Sequence, residues 1–412
     1  MAFLHPFRAL RPTPDSARLV ASVPYDVVTR DEAAALASGN PLSFLHVSRP
    51  DMEFAHLADP HAPEVYRVAV ENLQRLRLRA PLVVEEDPSL YVYRLSRGDH
   101  EQVGLAGCFS LDEYDQGIIK KHEHTRHDKE VDRTRHMVAL HAQTGLAFLT
   151  YRAEAAVDAR VARVTKVAPL IDFHADDDVR HTIWRATPHD RDALVQAFKG
   201  VPALYIADGH HRIASADRAR MTLRRAARHA AAELADDPGV AEADTFIAVA
   251  FPHDVVRILP YNRVVRGLGG RSSAAFLDAV REVMPVAEGT PAPARRGRVS
   301  MYLDGRWYEL AVQAEGGESD DLDVSRLQDL VIAPLLGIED VRADPRIEFV
   351  GGARGTGEIE RLVDAGDASV GFSLYPVTVE DLMAVADAGG IMPPKSTWFE
   401  PKVRDGLLSH VI

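Results

Sequence analysis

The chain has 412 residues, a formal net charge of −13 and 46% hydrophobic residues, which allows a large core and predicts two or three domains. The acid balance argues against a nucleic-acid partner, which needs a basic surface. No apolar run is long enough to span a bilayer, and the N-terminal MAFLHPFRALRP lacks the apolar stretch of a signal peptide. The single cysteine, Cys108, excludes an internal disulfide and a multi-cysteine metal site, and the expected compartment is the cytoplasm.

Leu19–Val23 reads as a short strand with Pro24–Asp26 as its exit, and Arg30–Ala37 as a helix. Asn40–Pro41 is a turn signal, and Phe44–Val47 reads as a second short strand. From Ala62 to Ala80 the spacing of Val65, Val68, Leu73 and Leu76 predicts an amphipathic helix. Tyr91–Leu95 and Val103–Leu111 flank a charged turn and predict a hairpin.

The next segment, Gly117–His141, combines five histidines and four acids with lysines and arginines, and its later part has helical spacing. A zinc-protease HExxH motif fails, because Arg126 stands where the second histidine would be. On a helix, Glu123 and His127, His124 and Asp128, and Asp128 and Asp132 would be i,i+4 neighbours, able to hold an ion or to form surface pairs. A phosphate partner uses such a mixture well, since cations offset its charge and a carboxylate can deprotonate a hydroxyl or hold Mg²⁺.

Thr144–Tyr151 predicts a strand and Val157–Val164 a helix. Leu170–Ala186 reads as two strand-like pieces around Asp176–Asp178, and His189–Phe198 as a helix. The central stretch is Leu204–Ala216, LYIADGHHRIASA: a buried strand, a turn at Asp208–Gly209 and a helix from His210 that ends near Pro238–Gly239. A strand leading through a tight turn to a helix N-terminus is an anion site, because the first turn leaves N–H groups unpaired at the positive end of the dipole. His210, His211 and Arg212 add two imidazoles and a guanidinium at that turn. Arginines within Arg218–Arg228 are diluted by alanines and read as a solvated helix face.

Thr245–Phe251 and Val255–Val265 predict a strand pair, and Ala287–Arg298 an exposed loop or linker. Val299–Leu303 and Trp307–Val312 predict a hairpin around Asp304–Gly305, followed by a helix over Ser325–Leu336. The glycines of Gly351–Gly357 are followed by Glu358 and Ile359, not the lysine and hydroxyl of a Walker A loop, so they predict a packing unit leading to Ser369–Tyr375. The Pro-rich Gly389–Leu407, with Trp398 and Phe399, predicts an ordered segment laid across the core.

PYDVV, NPLSFLHVSRP, KHEHT with the following KEVDR, IADGHHR and MPPKSTWFEPK, in this order, resemble the signature segments of the bacterial and archaeal domain-of-unknown-function 1015 family, from Phe7 nearly to the end. Gly209–Arg212 further resembles the nucleotide-binding turn of the ParB/sulfiredoxin-like fold, whose members include a partitioning switch, sulfiredoxin and free-serine kinases. The sulfiredoxin turn reads Gly-Cys-His-Arg. Here Gly209, His211 and Arg212 match while His210 replaces the cysteine, which excludes sulfiredoxin chemistry. The acid balance and the hairpins after Pro238 leave no place for the basic DNA-binding module of partitioning proteins, so the resemblance implies the kinase branch.

The expected protein is therefore α/β with mixed sheets: a ParB/sulfiredoxin-like nucleotide-binding region over residues 1–238 and a C-terminal α/β portion over 239–412 that completes or closes the site. The expected activity is phosphoryl transfer from ATP or ADP, with Mg²⁺, to a small hydroxyl compound, free L-serine being the resemblance's suggestion. Gly209, His211 and Arg212, with Lys121 and Arg133, would hold phosphate. Glu123 is the first choice of proton acceptor, with Asp208, Asp26 and His210 behind it, and Glu123 and Asp208 would serve the metal. Nucleotide and small-molecule substrate are the expected partners, without nucleic acid or membrane, and homo-oligomerisation stays open. Two other readings stay open: a nucleotide-binding regulator with slow or no hydrolysis, and a metal-dependent hydrolase using His122, Glu123, His124 and His127.

Overall fold

The computed structural model describes residues 2–54, 56, 59–80, 82–229, 242–312 and 322–412. They form two compact units, one of residues 1–256 with 401–412 and one of residues 257–400. The division lies beyond the 238/239 boundary read from the sequence, because Thr245–Pro252 pairs into the first unit's sheet. Pro238–Gly239, the expected helix end, lies outside the described residues.

The first unit begins with β1 (Leu4–His5), β2 (Ala9–Arg11), α1 (Ala17–Val20), α2 (Arg30–Ala37), α3 (Leu45–Ser48), α4 (Pro63–Arg79), β3 (Val83–Val84), β4 (Tyr91–Arg97), β5 (His100–Ser110) and α5 (Leu111–Asp115). It continues with β6 (Ile119–Lys120), α6 (His127–Leu140), β7 (Ala142–Gln143), β8 (Ala147–Tyr151), α7 (Ala155–Val164), β9 (Ile171–His174), β10 (Arg180–Arg185), α8 (Pro188–Phe198), β11 (Leu204–Asp208), α9 (His210–His229) and β12 (Thr245–Pro252).

Nine of these strands form one sheet in the order β6-β11-β8-β12-β5-β4-β10-β9, with β1 also on β5. β6 runs parallel to β11 and β12 parallel to β8, while β5 pairs antiparallel with β12, β4 and β1. The fold is thus mixed α/β, as expected. Apolar residues of β5, β8, β11 and β12, among them Leu105, Phe109, Leu149, Ile206 and Ala248, pack against Phe198 of α8 and Ile213 of α9. A smaller sheet runs β3, β2, Ser409–Val411, β7, so residues after 400 are built into the first unit.

The second unit holds a six-stranded sheet in the order Val286–Glu288, Arg306–Ala311, Arg298–Leu303, Val370–Leu374, Tyr261–Val265, Ile347–Gly351, with every pairing antiparallel. Helix Gly357–Asp364 covers it through Ile359 and Leu362.

Three sequence readings are corrected. Leu19–Val23 overlaps the end of α1, and Phe44–Val47 lies at the start of α3; apolar runs this short carry no periodicity that separates strand from helix. Asn40 beside them is structural, its amide donating to the Leu19 carbonyl at 2.8 Å. Tyr261–Val265 does not pair with β12 but joins the second unit's sheet. Among the described residues, no helix is long and apolar enough to cross a membrane.

Candidate functional site

β11 ends in an irregularity: its register against β8 shifts between Ile206 and Asp208, and such a bulge re-aims the residues that follow. Gly209 then takes φ +93°, and an added Cβ would lie 3.2 Å from the Ala147 Cα of β8. Only glycine makes this corner without strain, so α9 starts immediately beyond it with its first turn against the sheet's end.

Two imidazoles and a carboxylate gather at this corner. Parallel pairing of Ile119–Lys120 with Leu204–Tyr205 carries the chain after β6 alongside the end of β11. His122, Glu123 and His210 consequently offer ligand atoms that all lie within 4.8 Å of one another. The rings of His122 and His210 meet edge to face, with centroids 4.6 Å apart, and the His122 N–H approaches His210 Nε2 at 3.5 Å. His122 is 1% exposed, and neither of its ring nitrogens has a hydrogen-bond partner. One residue on, His211 Nε2 accepts from the Arg126 N–H at 2.9 Å, which ties the segment between β6 and α6 to α9. Asp208 accepts from Lys402 Nζ at 2.7 Å.

The inner side of the same turn holds a second group. Arg212 Nη1 donates to the Leu146 carbonyl at 2.6 Å and Nη2 to Asp26 Oδ1 at 3.0 Å, while its buried Nε has no partner. Its guanidinium lies 5.5 Å from the Tyr25 ring, which Arg133 covers at 4.4 Å. Arg133 donates in turn to Asp132 and to the Ser48 carbonyl. Asp405 lines the small cleft among Tyr25, Arg133, Gly145 and Arg212.

Burial dominates the electrostatics. It lowers His122 to about 4 against the neighbouring Ile206 backbone and, after it, the charge of Asp208. His210 is held well below the usual imidazole range by burial and then by His122. Both rings are therefore neutral at pH 7 and able to act as ligands or hydrogen-bond acceptors. Burial raises Asp405 to about 7 even though Arg212 pulls the other way. Asp26, Asp208 and Asp405 together favour the charged form of Arg212.

The expected site residues thus fall into two groups joined by Gly209. Glu123, Asp208 and His210 share the outer group, with His211 beside them. Asp26, Arg212 and Arg133 share the inner one around Tyr25, where Arg212 faces inward as a buried anchor. Lys121 is exposed at the edge, its Nζ 4.7 Å over the Tyr114 ring. Glu123 and His127 do not share a helix, because α6 begins only at His127.

The sequence reading passed over Lys402 and Asp405; the signal was the run of charges in PKVRDG directly after the tail motif. Two imidazole nitrogens and one carboxylate do not fit Mg²⁺, a hard cation that takes oxygen ligands.

The model of the family described as "Protein of unknown function (DUF1015)" matches residues 4–329. No curated protein matches the sequence. Similar solved structures include a free serine kinase in complex with AMP, 13% identical, covering 74% of this chain and 91% of that one at a TM-score of 0.38. SbnI with a C-terminal truncation, from Staphylococcus aureus, is 12% identical, with coverages of 74% and 87% and a TM-score of 0.39. A conserved hypothetical protein from Pyrococcus furiosus is 12% identical, with coverages of 74% and 94% and a TM-score of 0.37. Likeness at this level lends no chemistry to this chain.

Proposed function

We propose, for a chain that belongs to the domain-of-unknown-function 1015 family, a nucleotide-dependent phosphotransferase acting on a small hydroxyl compound, built on a ParB/sulfiredoxin-like core. The observation that supports this reading is the meeting of two motifs far apart in sequence. The KHEHT segment and the DGHHR turn come together at one helix N-terminus, through Arg126 with His211 and through His122 with His210.

In this reading, phosphate of ATP or ADP sits at the first turn of α9, where backbone N–H groups and the helix dipole favour an anion. Gly209 lets the backbone come close, Lys121 offsets charge, and His211, held by the Arg126 N–H, stands beside the phosphate. Lys402 is held nearby by Asp208. Glu123 takes the proton of the acceptor hydroxyl as its oxygen attacks phosphorus, and the nucleotide leaves with one phosphate fewer. Arg212 and Arg133 act from beneath by fixing Asp26 and Tyr25. Mg²⁺ belongs to this proposal as the partner of the nucleotide's own phosphate oxygens.

The test is incubation of the full chain with ATP or ADP, Mg²⁺ and an amino-acid mixture that includes L-serine, with mass spectrometry for new phosphoesters. Expected is a phosphorylated acceptor, its formation lowered at least about 100-fold in Glu123→Gln, the usual scale for loss of a general base. Nucleotide bound without product in any mixture would favour the regulator reading instead. The hydrolase reading keeps His122 and Glu123 but not His124 and His127, since the ligand atoms grouped among the described residues are those of His122, Glu123 and His210.

A further inference from the structure

The pairing of His122 with His210 is not explained by packing. Burying an imidazole whose ring nitrogens lack hydrogen-bond partners is costly, and an edge-to-face ring contact recovers only part of that cost. His122 is 1% exposed, in contact with a second buried imidazole and with Glu123 in reach, yet neither of its nitrogens is hydrogen-bonded. Three rigid features bring the group together: the parallel β6–β11 register, the bulge at the end of β11 and the left-handed Gly209.

We propose that His122, Glu123 and His210 form a binding site for a divalent first-row transition-metal ion such as Zn²⁺ or Mn²⁺. Two neutral imidazoles and one carboxylate make a donor set that these ions accept and that leaves coordination positions open, as in catalytic sites with three protein ligands. Imidazole discriminates against Mg²⁺, which prefers oxygen. Asp208 and the Lys402 it holds flank the group, a carboxylate placed to act on whatever the ion carries. The site stands whether or not the chain transfers phosphate. Where it does, Glu123 gives one carboxylate oxygen to the ion and keeps the other for the acceptor's hydroxyl proton.

The test needs no nucleotide. Full-length protein stripped by a chelator is equilibrated with Zn²⁺, Mn²⁺ or Mg²⁺ separately, and bound metal is counted by elemental analysis; Co²⁺ gives a visible spectrum as a second readout. Expected is one Zn²⁺ or Mn²⁺ per chain, bound at least about 100-fold more tightly than Mg²⁺, with affinity falling by about 100-fold or more in His122→Gln and in Glu123→Gln. That loss exceeds the 10–100-fold typical of outer partners. His124→Gln and His127→Gln, which change neighbouring histidines outside the group, should keep the wild-type affinity. Glu123 is only half-buried, so Glu123→Gln keeps the test open if His122→Gln fails to fold. Absence of stoichiometric metal, equal affinity for Mg²⁺, or metal retained by both variants would overturn the assignment, even if the phosphoester assay succeeds.

Discussion

Gly209 is the residue on which the corner depends. Alanine there combines an unfavourable left-handed backbone with contacts of 3.2 and 3.3 Å to Ala147, so Gly209→Ala should cost about 1–3 kcal/mol and weaken ATP binding. Gly117 has φ +73° with nothing within 4 Å of an added Cβ, so Gly117→Ala should cost only about 1 kcal/mol. Urea midpoints of the two variants, read beside ATP affinity, separate backbone strain from the close approach at the site. Equal losses would mean that the Ala147 contact has no weight. This corner is legible from sequence because it is local: apolar Leu204–Ala207, an Asp-Gly turn and an Ala/Arg-rich helical segment follow in order. The group around His210 is not, because His122 and Glu123 arrive through a strand pairing that no local pattern encodes. Helical spacing suggests instead an i,i+4 relation of Glu123 with His127, but Glu123 precedes α6.

At the scale of elements, β5 is the strand that organises the sheet, with β12 along one edge and β4, then β1, along the other. Two glycines permit the packing around it. A Cβ at Gly104 would meet the Ala250 carbonyl oxygen at 2.7 Å, while one at Gly107 would meet Leu4 Cδ1 at 2.5 Å and Leu90 Cδ2 at 2.8 Å. Side-chain ends can turn aside, whereas a backbone carbonyl within a ladder cannot. Gly104→Ala should therefore lower stability by about 1–3 kcal/mol and more than Gly107→Ala does, which chemical unfolding measures; the reverse order would contradict this account. The hairpin of β4 and β5 is readable from alternation and a charged turn. The parallel pairs β6–β11 and β8–β12 are not, since their partners are brought together by the whole sheet.

For the whole molecule, the buried histidines other than His122 and His210 predict acid lability. Burial lowers His136 to about 3 and His410 to about 4, and holds His181 well below 6.5. Unfolded, each would titrate near its ordinary value of 6.5 and bind a proton that the folded chain refuses. Stability from these groups is complete above pH 6.5 and is lost as pH falls toward 4, with a slope approaching about 1.4 kcal/mol per pH unit for each histidine. Asp405, raised to about 7, acts in the opposite sense by favouring the folded state at low pH, as do the carboxyls of Glu113, Asp158, Glu242 and Asp323, which desolvation also raises, so the loss from the histidines is partly offset. Urea midpoints at pH 7 and pH 5 should show a drop at pH 5. An unchanged midpoint would mean that these rings are protonated in the fold.

The return of residues 401–412 to the first unit bears on the order in which the protein can be made. Residues 257–400 form their own compact unit, so the ribosome must deliver that whole unit before Lys402 can reach Asp208 or Ser409–Val411 can enter between β2 and β7. Until then Asp208 lacks the Lys402 ammonium, and the β2 and β7 edges that Ser409–Val411 covers stand open to any extended chain nearby. A stalled or clipped chain lacking those twelve residues is therefore exposed to mispairing along β2 and β7, which gives the cell a physical means of discarding incomplete copies.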